Sequence, residues 1–271
     1  DETTTTASSL SFPSGETATA TYQLDGNGDD ISGAYSATLT TDIGYTGLKF
    51  QPDFVWTKQR NGTNRHVLTD SVRGTNSQLS SNNTDAQTTY SSNVTSFDIN
   101  GFTLGSATET NGVNNTYVSW NWYAPTAETN NAGANGADIA STIKKNVDAG
   151  FSIVKYEANG STTAANSLVQ SGLSQEVEMF IHKNIDASGT WFVYHKDTGE
   201  DNIMRLTDAA KQALAGFYAV DTNGNFGIRQ SSAGSNGQDC IVYCFHSVSG
   251  YSKVDSYQGG QTLNTANQVD F

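Results

Sequence analysis

Two carboxylates of this sequence have a spacing that could support catalysis. Glu176 and Glu178 lie two positions apart, so on a β-strand they share one face with Cα atoms roughly 6.6 Å apart. That separation is close to what glycoside hydrolysis requires of its two carboxyl groups. No further carboxylate follows in residues 179–181. The other copy of the internal repeat described below has Gln51 and Asp53 at the corresponding positions. The pattern therefore favours a structural role at a strand edge or turn over catalysis.

Oxygen-bearing side chains cluster around Gly28 near the start of the chain. Asp25, Asn27 and Asp29 alternate there and are followed by Asp30, which resembles half of a calcium-binding loop. No Glu follows at the twelfth position of such a loop, so a structural turn is favoured over a calcium site. The candidate metal ligands are Asp25, Asn27 and Asp29, and the sequence indicates no other cofactor.

The other titratable side chains also favour structure over catalysis. Arg73, in the run DSVRG, can pair with Asp70 across a tight turn, which is the interpretation we favour, or can meet an anionic ligand. No serine stands in a GxSxG motif. The four histidines lack the spacing of metal ligands: His66, His182, His195 and His246. We therefore predict that the chain is not an enzyme and keep Arg73 as a candidate for ligand binding.

Aromatic side chains are the remaining candidates for recognition, because sugar rings present apolar faces that stack on Trp and Tyr. Tyr251 and Tyr257 lie near the end of the chain and are the candidates that we expect to be exposed. Trp120 and Trp122 face one side of their strand, where core packing is favoured over a surface platform.

The two cysteines of the sequence lie in the strand-like run CIVYCFH. Residues four apart on a strand share a face but have Cα atoms roughly 13 Å apart, which is beyond disulfide reach. We therefore expect Cys240 and Cys244 to be small buried residues rather than a disulfide or a metal site. The absence of a disulfide suggests assembly inside a cell.

An internal repeat runs through most of the chain. The run PDFVWTKQRNGTNRHVLTDSVRG, residues 52–74, returns in altered form as VEMFIHKNIDASGTWFVYHKDTG, residues 177–199, at an offset of 125. Further on, YVSWNWYA returns as CIVYCFHS at an offset of 123, and changes in loop length explain such drift. GFSIVKYEANG, residues 150–160, reappears as GYSKVDSYQGG, residues 250–260, which indicates the start of a third copy.

The side-chain pattern within these copies has the period of a β-strand. Side chains alternate between two faces in the run from Phe54 and again in the run from Tyr117, and clusters such as RNGTN and SAGSNG suit hairpin turns. A single repeat cannot bury its apolar face alone. The sequence therefore predicts an all-β fold, a two-sheet antiparallel sandwich built from an internal duplication, with at most one or two short helices.

We expect one domain over residues 1–271. Its predicted parts are an N-terminal segment with the first strand (1–32), the first copy (33–149), the second copy (150–249), and the start of a third copy that closes an open sheet edge (250–271). The positions with helical signal are 206–216 and, more weakly, 136–150.

Composition excludes two classes of partner. The formal net charge of -13 repels phosphates, so we expect no nucleic-acid binding. No run of about 18 apolar residues occurs, so we expect no membrane insertion.

Several long motifs resemble a specific family. PDFVWTKQR, DSVRGTNSQLSSNNTDA, FDINGFTLG, GFSIVKYEANG and YCFHSVSGYSKVDSYQGG are similar to repeat-bearing structural proteins of marine, cyanophage-type bacteriophages, over about Phe50 to Gly260. The run YQLDGNGDDISGAY is similar to the opening strand of laminin-G-like and concanavalin A-like lectin domains. The resemblance implies a concanavalin A-like or jelly-roll type of sandwich.

The resemblance also implies a function and a location. It implies a non-enzymatic virion structural protein on the surface of a phage particle, either a tail-fibre or adhesin module or a capsid decoration, assembled in the host cytoplasm. The implied partners are other virion proteins, host surface polysaccharide and further copies of the chain in a homo-oligomer. The alternatives are a secreted bacterial carbohydrate-binding module and, less favoured, a glycan-cleaving enzyme of the same fold.

Overall fold

The computed structural model describes residues 48–206 and 210–259, together with the backbone of three strands closer to the N-terminus. The described chain up to Trp122 forms ten strands: β1 (Thr17–Tyr22), β2 (Gly33–Thr38), β3 (Ile43–Tyr45), β4 (Phe54–Gln59), β5 (Val67–Asp70), β6 (Ser77–Gln78), β7 (Thr88–Thr89), β8 (Val94–Asp98), β9 (Gly101–Leu104) and β10 (Tyr117–Trp122).

Eleven more strands follow in the described residues beyond Trp122: β11 (Thr126–Asn130), β12 (Ser141–Asn146), β13 (Phe151–Glu157), β14 (Leu168–Gln170), β15 (Met179–Asn184), β16 (Phe192–His195), β17 (Asn202–Arg205), β18 (Gln212–Ala213), β19 (Tyr218–Val220), β20 (Asn225–Ile228) and β21 (Asp239–Phe245). The described part also contains two short α-helices, α1 (Thr108–Asn111) and α2 (Gln230–Ala233), and two single-turn 3-10 segments, Ala134–Gly136 and Ala164–Asn166. The predicted all-β antiparallel sandwich with at most two short helices is confirmed. Among the described residues, none of the helices has the length and apolar character of a membrane span.

The helices do not lie where the sequence signal placed them. Residues 136–150 contain β12, which pairs along its whole length with β13, and the described part of 206–216 contains β18, which pairs with β17. In β12, Ser141 and Ile143 are buried while Thr142 is exposed, which is the period of a strand and not of a helix. Pairing with a neighbouring strand outweighs the local helix preference there.

The internal repeat is visible in how the strands pair. β4 lies between β10 and β5 in the first copy, and β15 lies between β21 and β16 in the second. Trp122 faces Phe54 in one set and Phe245 faces Met179 in the other, so the offsets of 123 and 125 seen in the sequence preserve the strand register. The order β3-β9-β8 likewise matches β14-β20-β19, and α1 and α2 each follow the corresponding strand.

A central antiparallel sheet is buried on both faces. Its order is β11-β12-β13-β21-β15-β16-β17-β18, and successive side chains of β21 point to opposite faces. Val242 belongs to the apolar cluster shared with Phe226 of β20, whereas Tyr243 belongs to the cluster shared with Phe54 of β4. Phe54 and Tyr243 stack with ring centroids 4.1 Å apart, so side chains of both copies form one interior.

A further layer covers the outer face of the β10-β4-β5 sheet. Val55 of β4 points away from Phe54 and packs with Val94 of β8 and Phe102 of β9 in a third apolar cluster. Loop contacts reinforce the join between the copies, because the Trp191 indole Nε1 donates to the Ser80 carbonyl at 3.0 Å.

A lysine near the end of a strand donates to nearby backbone carbonyls in both copies. Lys58 Nζ donates to the carbonyl of Gln59, the last residue of β4, at 2.7 Å and to that of Gly62 in the following turn at 3.0 Å. Lys183, 125 positions later, donates to the carbonyls of Asn184 at 2.8 Å and Ala187 at 3.3 Å. Each ammonium group therefore links the last residue of its strand to the turn that follows, and burial lowers the pKa of Lys183 to about 8.

The described part of the predicted third copy forms no strand. Residues 253–259 are largely exposed, and the pairing observed for this segment within the described chain is an isolated bridge between Val248 and Ser252. Residues 260–271 lie outside the described part of the chain, so closure of a sheet edge by residues 250–271 stays a prediction.

Candidate functional site

Glu178 anchors three segments of the second copy. Its carboxylate accepts hydrogen bonds from the Ser247 backbone N–H at 2.6 Å, from Lys196 Nζ at 2.8 Å and from the Ser247 hydroxyl. Burial alone would raise the pKa of Glu178, but the bonds from Lys196 and Ser247 outweigh it and lower the pKa. Glu176, the other carboxylate of the pair in the sequence, is exposed to solvent. The pair therefore consists of one structural carboxylate and one surface carboxylate.

The first copy contains the same anchor 125 positions earlier. Asp53 accepts hydrogen bonds from the Ser71 hydroxyl at 2.7 Å, from the Ala124 backbone N–H at 2.8 Å and from Lys144 Nζ at 2.9 Å. Ser71 and Ala124 occupy the positions of Lys196 and Ser247. Each carboxylate thus joins the start of a central strand to the segments after its two neighbours.

We expect Glu178→Gln to lower the free energy of unfolding by about 1–3 kcal/mol at pH 7, because the variant loses charge-assisted hydrogen bonds. Since the folded pKa of Glu178 lies below its usual 4.5, the stabilisation is fully present above pH 4.5 and is lost as pH falls through the folded pKa. Urea denaturation between pH 7 and pH 3 measures this difference. The exposed Glu176→Gln is the control, and an equal effect in the two variants would contradict the anchor.

Arg73 has no surface to offer a ligand, which corrects its place among the candidate binding residues. Its side chain is 1% exposed, and its Nε donates to Asp70 at 2.5 Å. Its Nη2 donates to the Tyr243 hydroxyl of the second copy at 3.2 Å. Burial alone would lower the pKa of Arg73, but the adjacent carboxylate of Asp70 outweighs it and raises the pKa. The pairing with Asp70 favoured from the sequence is confirmed.

The calcium candidates Asp25, Asn27 and Asp29 lie outside the described residues. Within the described part of the chain, no group of three His, Cys, Asp or Glu side chains is placed to hold a metal ion.

The cysteines are free and buried in β21, as the sequence predicts. Burial raises the pKa of Cys240 to about 12, which keeps its sulfur as an unreactive thiol. His182 on the neighbouring strand bonds the Tyr156 hydroxyl at 3.0 Å, and burial lowers its pKa to about 3. These groups fill the interior of the central sheet.

An aromatic cavity of about 410 Å³ opens where β10, β13 and β21 approach one another. Six rings of Phe, Trp and Tyr line it: Phe50, Trp122, Tyr123, Phe151, Phe245 and Tyr251. Phe151 and Phe245 form its floor with ring centroids 5.1 Å apart, and Tyr251 at its rim is 72% exposed. Asn121, Asn146 and Ser252 add polar groups to the lining.

A close backbone approach shapes the floor of this cavity. Gly150 has a φ of +64°, and a Cβ at that position would collide with the carbonyl oxygen of His246. Glycine is therefore required where the second copy begins.

Tyr251 and Tyr257, both predicted from the sequence to be exposed candidates for recognition, differ in their position relative to the cavity. Tyr251 lines the aromatic cavity, whereas Tyr257 is 75% exposed and does not line it. Sequence reasoning missed Phe50 and Tyr123, although Tyr123 lies within the repeated run YVSWNWYA. The repeat carries the signal that could have found the floor, because Tyr251 aligns with Phe151 and Trp122 aligns with Phe245.

Comparison with known proteins adds a family and no activity. The profile of a family described as a domain of unknown function, DUF7483, matches residues 32–267. The chain belongs to this family. The DUF7483 match includes the strands of both copies and every residue that lines the aromatic cavity. No curated protein matches the chain, and no solved structure matches it.

Proposed function

We propose that the protein is a non-enzymatic structural module on the surface of a bacteriophage particle, and that its aromatic cavity binds host surface glycans. The aromatic cavity is the observation that carries the binding role. The resemblance of the sequence motifs to repeat-bearing phage proteins supports the location. The module serves as part of a tail fibre or adhesin, or as a capsid decoration, and contacts other virion proteins.

The cavity has the features that sugar recognition uses. Apolar faces of pyranose rings stack on aromatic side chains, and sugar hydroxyls bond to amide and hydroxyl groups. Trp122 and Tyr123 supply rings beside the side-chain amide of Asn121, and Tyr251 supplies an exposed ring at the rim. The volume of about 410 Å³ lies in the range of about 300–1,000 Å³ that is typical of small-molecule sites.

The exposed tyrosine gives a direct test of binding. We expect Tyr251→Ala to weaken glycan binding about tenfold, because one stacking contact contributes about 1 kcal/mol or more. A glycan array followed by isothermal titration with the glycans that bind measures the loss. Tyr257→Ala is the matched control, since it removes an equally exposed tyrosine outside the cavity. Equal losses in the two variants, or unchanged binding in Tyr251→Ala, would contradict the site.

The location is tested by mass spectrometry of purified virions. Detection of the chain at a copy number that matches capsid or tail symmetry supports the particle role. Glycan binding by a protein that purified virions lack would instead favour the secreted carbohydrate-binding module.

A further inference from the structure

We infer that the bound glycan is an acidic polysaccharide, whose chain crosses from the aromatic cavity into a second, lysine-lined cavity. This inference rests on the proposed glycan binding and names the chemical class of the ligand. The second cavity has a volume of about 550 Å³, and its lining includes Lys49, Lys144, Ile99 and Pro125.

Two aromatic rings join the cavities. Phe50 and Tyr123 line both of them, with ring centroids 5.7 Å apart and planes tilted by 54°. Tyr123 is 42% exposed, so its ring is accessible from outside. We call these two residues the aromatic ridge. A chain of several sugar rings can occupy a cavity on each side of the ridge, whereas a monosaccharide fills only one.

The charge around the ridge is opposite to that of the whole chain. The sequence has 27 Asp and Glu residues against 14 Lys and Arg residues. The linings of the two cavities nevertheless contain three lysines, Lys49, Lys144 and Lys253, and one carboxylate, that of Asp53. A polyanion is repelled by most of this surface and attracted to this part of it, which favours binding in the two cavities.

Lys49 is the cation most available to a ligand. Lys144 Nζ is paired with Asp53 at 2.9 Å, and Lys253 Nζ is paired with Asp255 at 2.6 Å. Lys49 is exposed and forms no ion pair with a described residue. Its ammonium group can therefore meet a uronate carboxylate or a sulfate ester without breaking an existing pair.

The test is an array that contains neutral, uronate-containing and sulfated glycans, each as a disaccharide and as a hexasaccharide. We expect the acidic hexasaccharides to bind best and to lose affinity as salt rises. We expect Lys49→Gln to weaken their binding about fivefold, because it removes one exposed charge contact. Lys211→Gln is the matched control, because Lys211 is exposed next to β18, at the opposite edge of the central sheet from β11 and Pro125.

The outcomes separate this inference from the proposed function. Binding of neutral glycans alone, or equal losses in Lys49→Gln and Lys211→Gln, would overturn the acidic ligand and leave glycan binding intact. Equal affinity for acidic disaccharides and hexasaccharides would overturn the crossing of the aromatic ridge. Binding to no glycan of any class would overturn the proposed function together with the inference.

Discussion

Replacement of Arg73 by leucine is expected to lower the free energy of unfolding by about 3–5 kcal/mol, because it leaves a buried carboxylate without its partner. Asp70 is completely buried, and the Arg73 Nε–Asp70 contact is 2.5 Å. The same arginine donates to Tyr243, so the loss reaches the interior that the two copies share. Urea denaturation followed by tryptophan fluorescence measures the change.

Two variants make the Arg73 result specific. Arg65→Leu breaks the ion pair with Asp85, in which the two side chains are 54% and 56% exposed. It should lower the free energy of unfolding by at most about 1 kcal/mol. The double variant Arg73→Leu, Asp70→Asn removes the buried charge and keeps an oxygen for the backbone N–H groups of the turn. We expect it to regain part of the stability. A loss in Arg73→Leu no larger than that in Arg65→Leu would contradict the buried pair.

Replacement of Phe54 by alanine is expected to cost about 3–5 kcal/mol, because it removes a large ring from a closed interior. Phe54 is 1% exposed and stacks on Tyr243 of the second copy and on Trp122 of the first, at centroid distances of 4.1 and 4.9 Å. Because these rings belong to both copies, we expect the variant to unfold in one transition at lower urea concentration. Fluorescence and circular dichroism together measure whether the transitions coincide.

The exposed Ile99→Ala is the control for the Phe54 variant. Ile99 is 80% exposed, so its truncation should change stability by less than about 0.5 kcal/mol. Two separate transitions in Phe54→Ala, one of them at the position of the unmodified protein, would show that the copies unfold independently.

The strands of both copies could be predicted because their evidence is local. Alternation in the run from Phe54 and in the run from Tyr117 identifies β4 and β10, and the offsets of 125 and 123 predict their counterparts β15 and β21. The helix signal in residues 136–150 failed because β12 gains its hydrogen bonds from β13, which no property of the segment alone reveals.

The aromatic cavity was harder to predict, because its rings come from distant parts of the chain. Phe50, Tyr123 and Tyr251 precede or follow strands, and no spacing in the sequence marks them as one site. They meet only when the β10-β4-β5 sheet packs on the central sheet. The sequence places Asp53 and Glu178 at equivalent positions of the two copies. It does not show why a carboxylate is needed there, because the groups that donate to it are distant in the chain.

Lys58 and Lys183 make equivalent contacts although the connections that they support have different sequences. The seven residues between the paired strands, RNGTNRH in one half and IDASGTW in the other, share no identical position. A long flexible side chain on the strand nevertheless supplies donors to the connection in both copies. One ammonium group in each copy therefore supports a connection of constant length whose seven residues differ at every position.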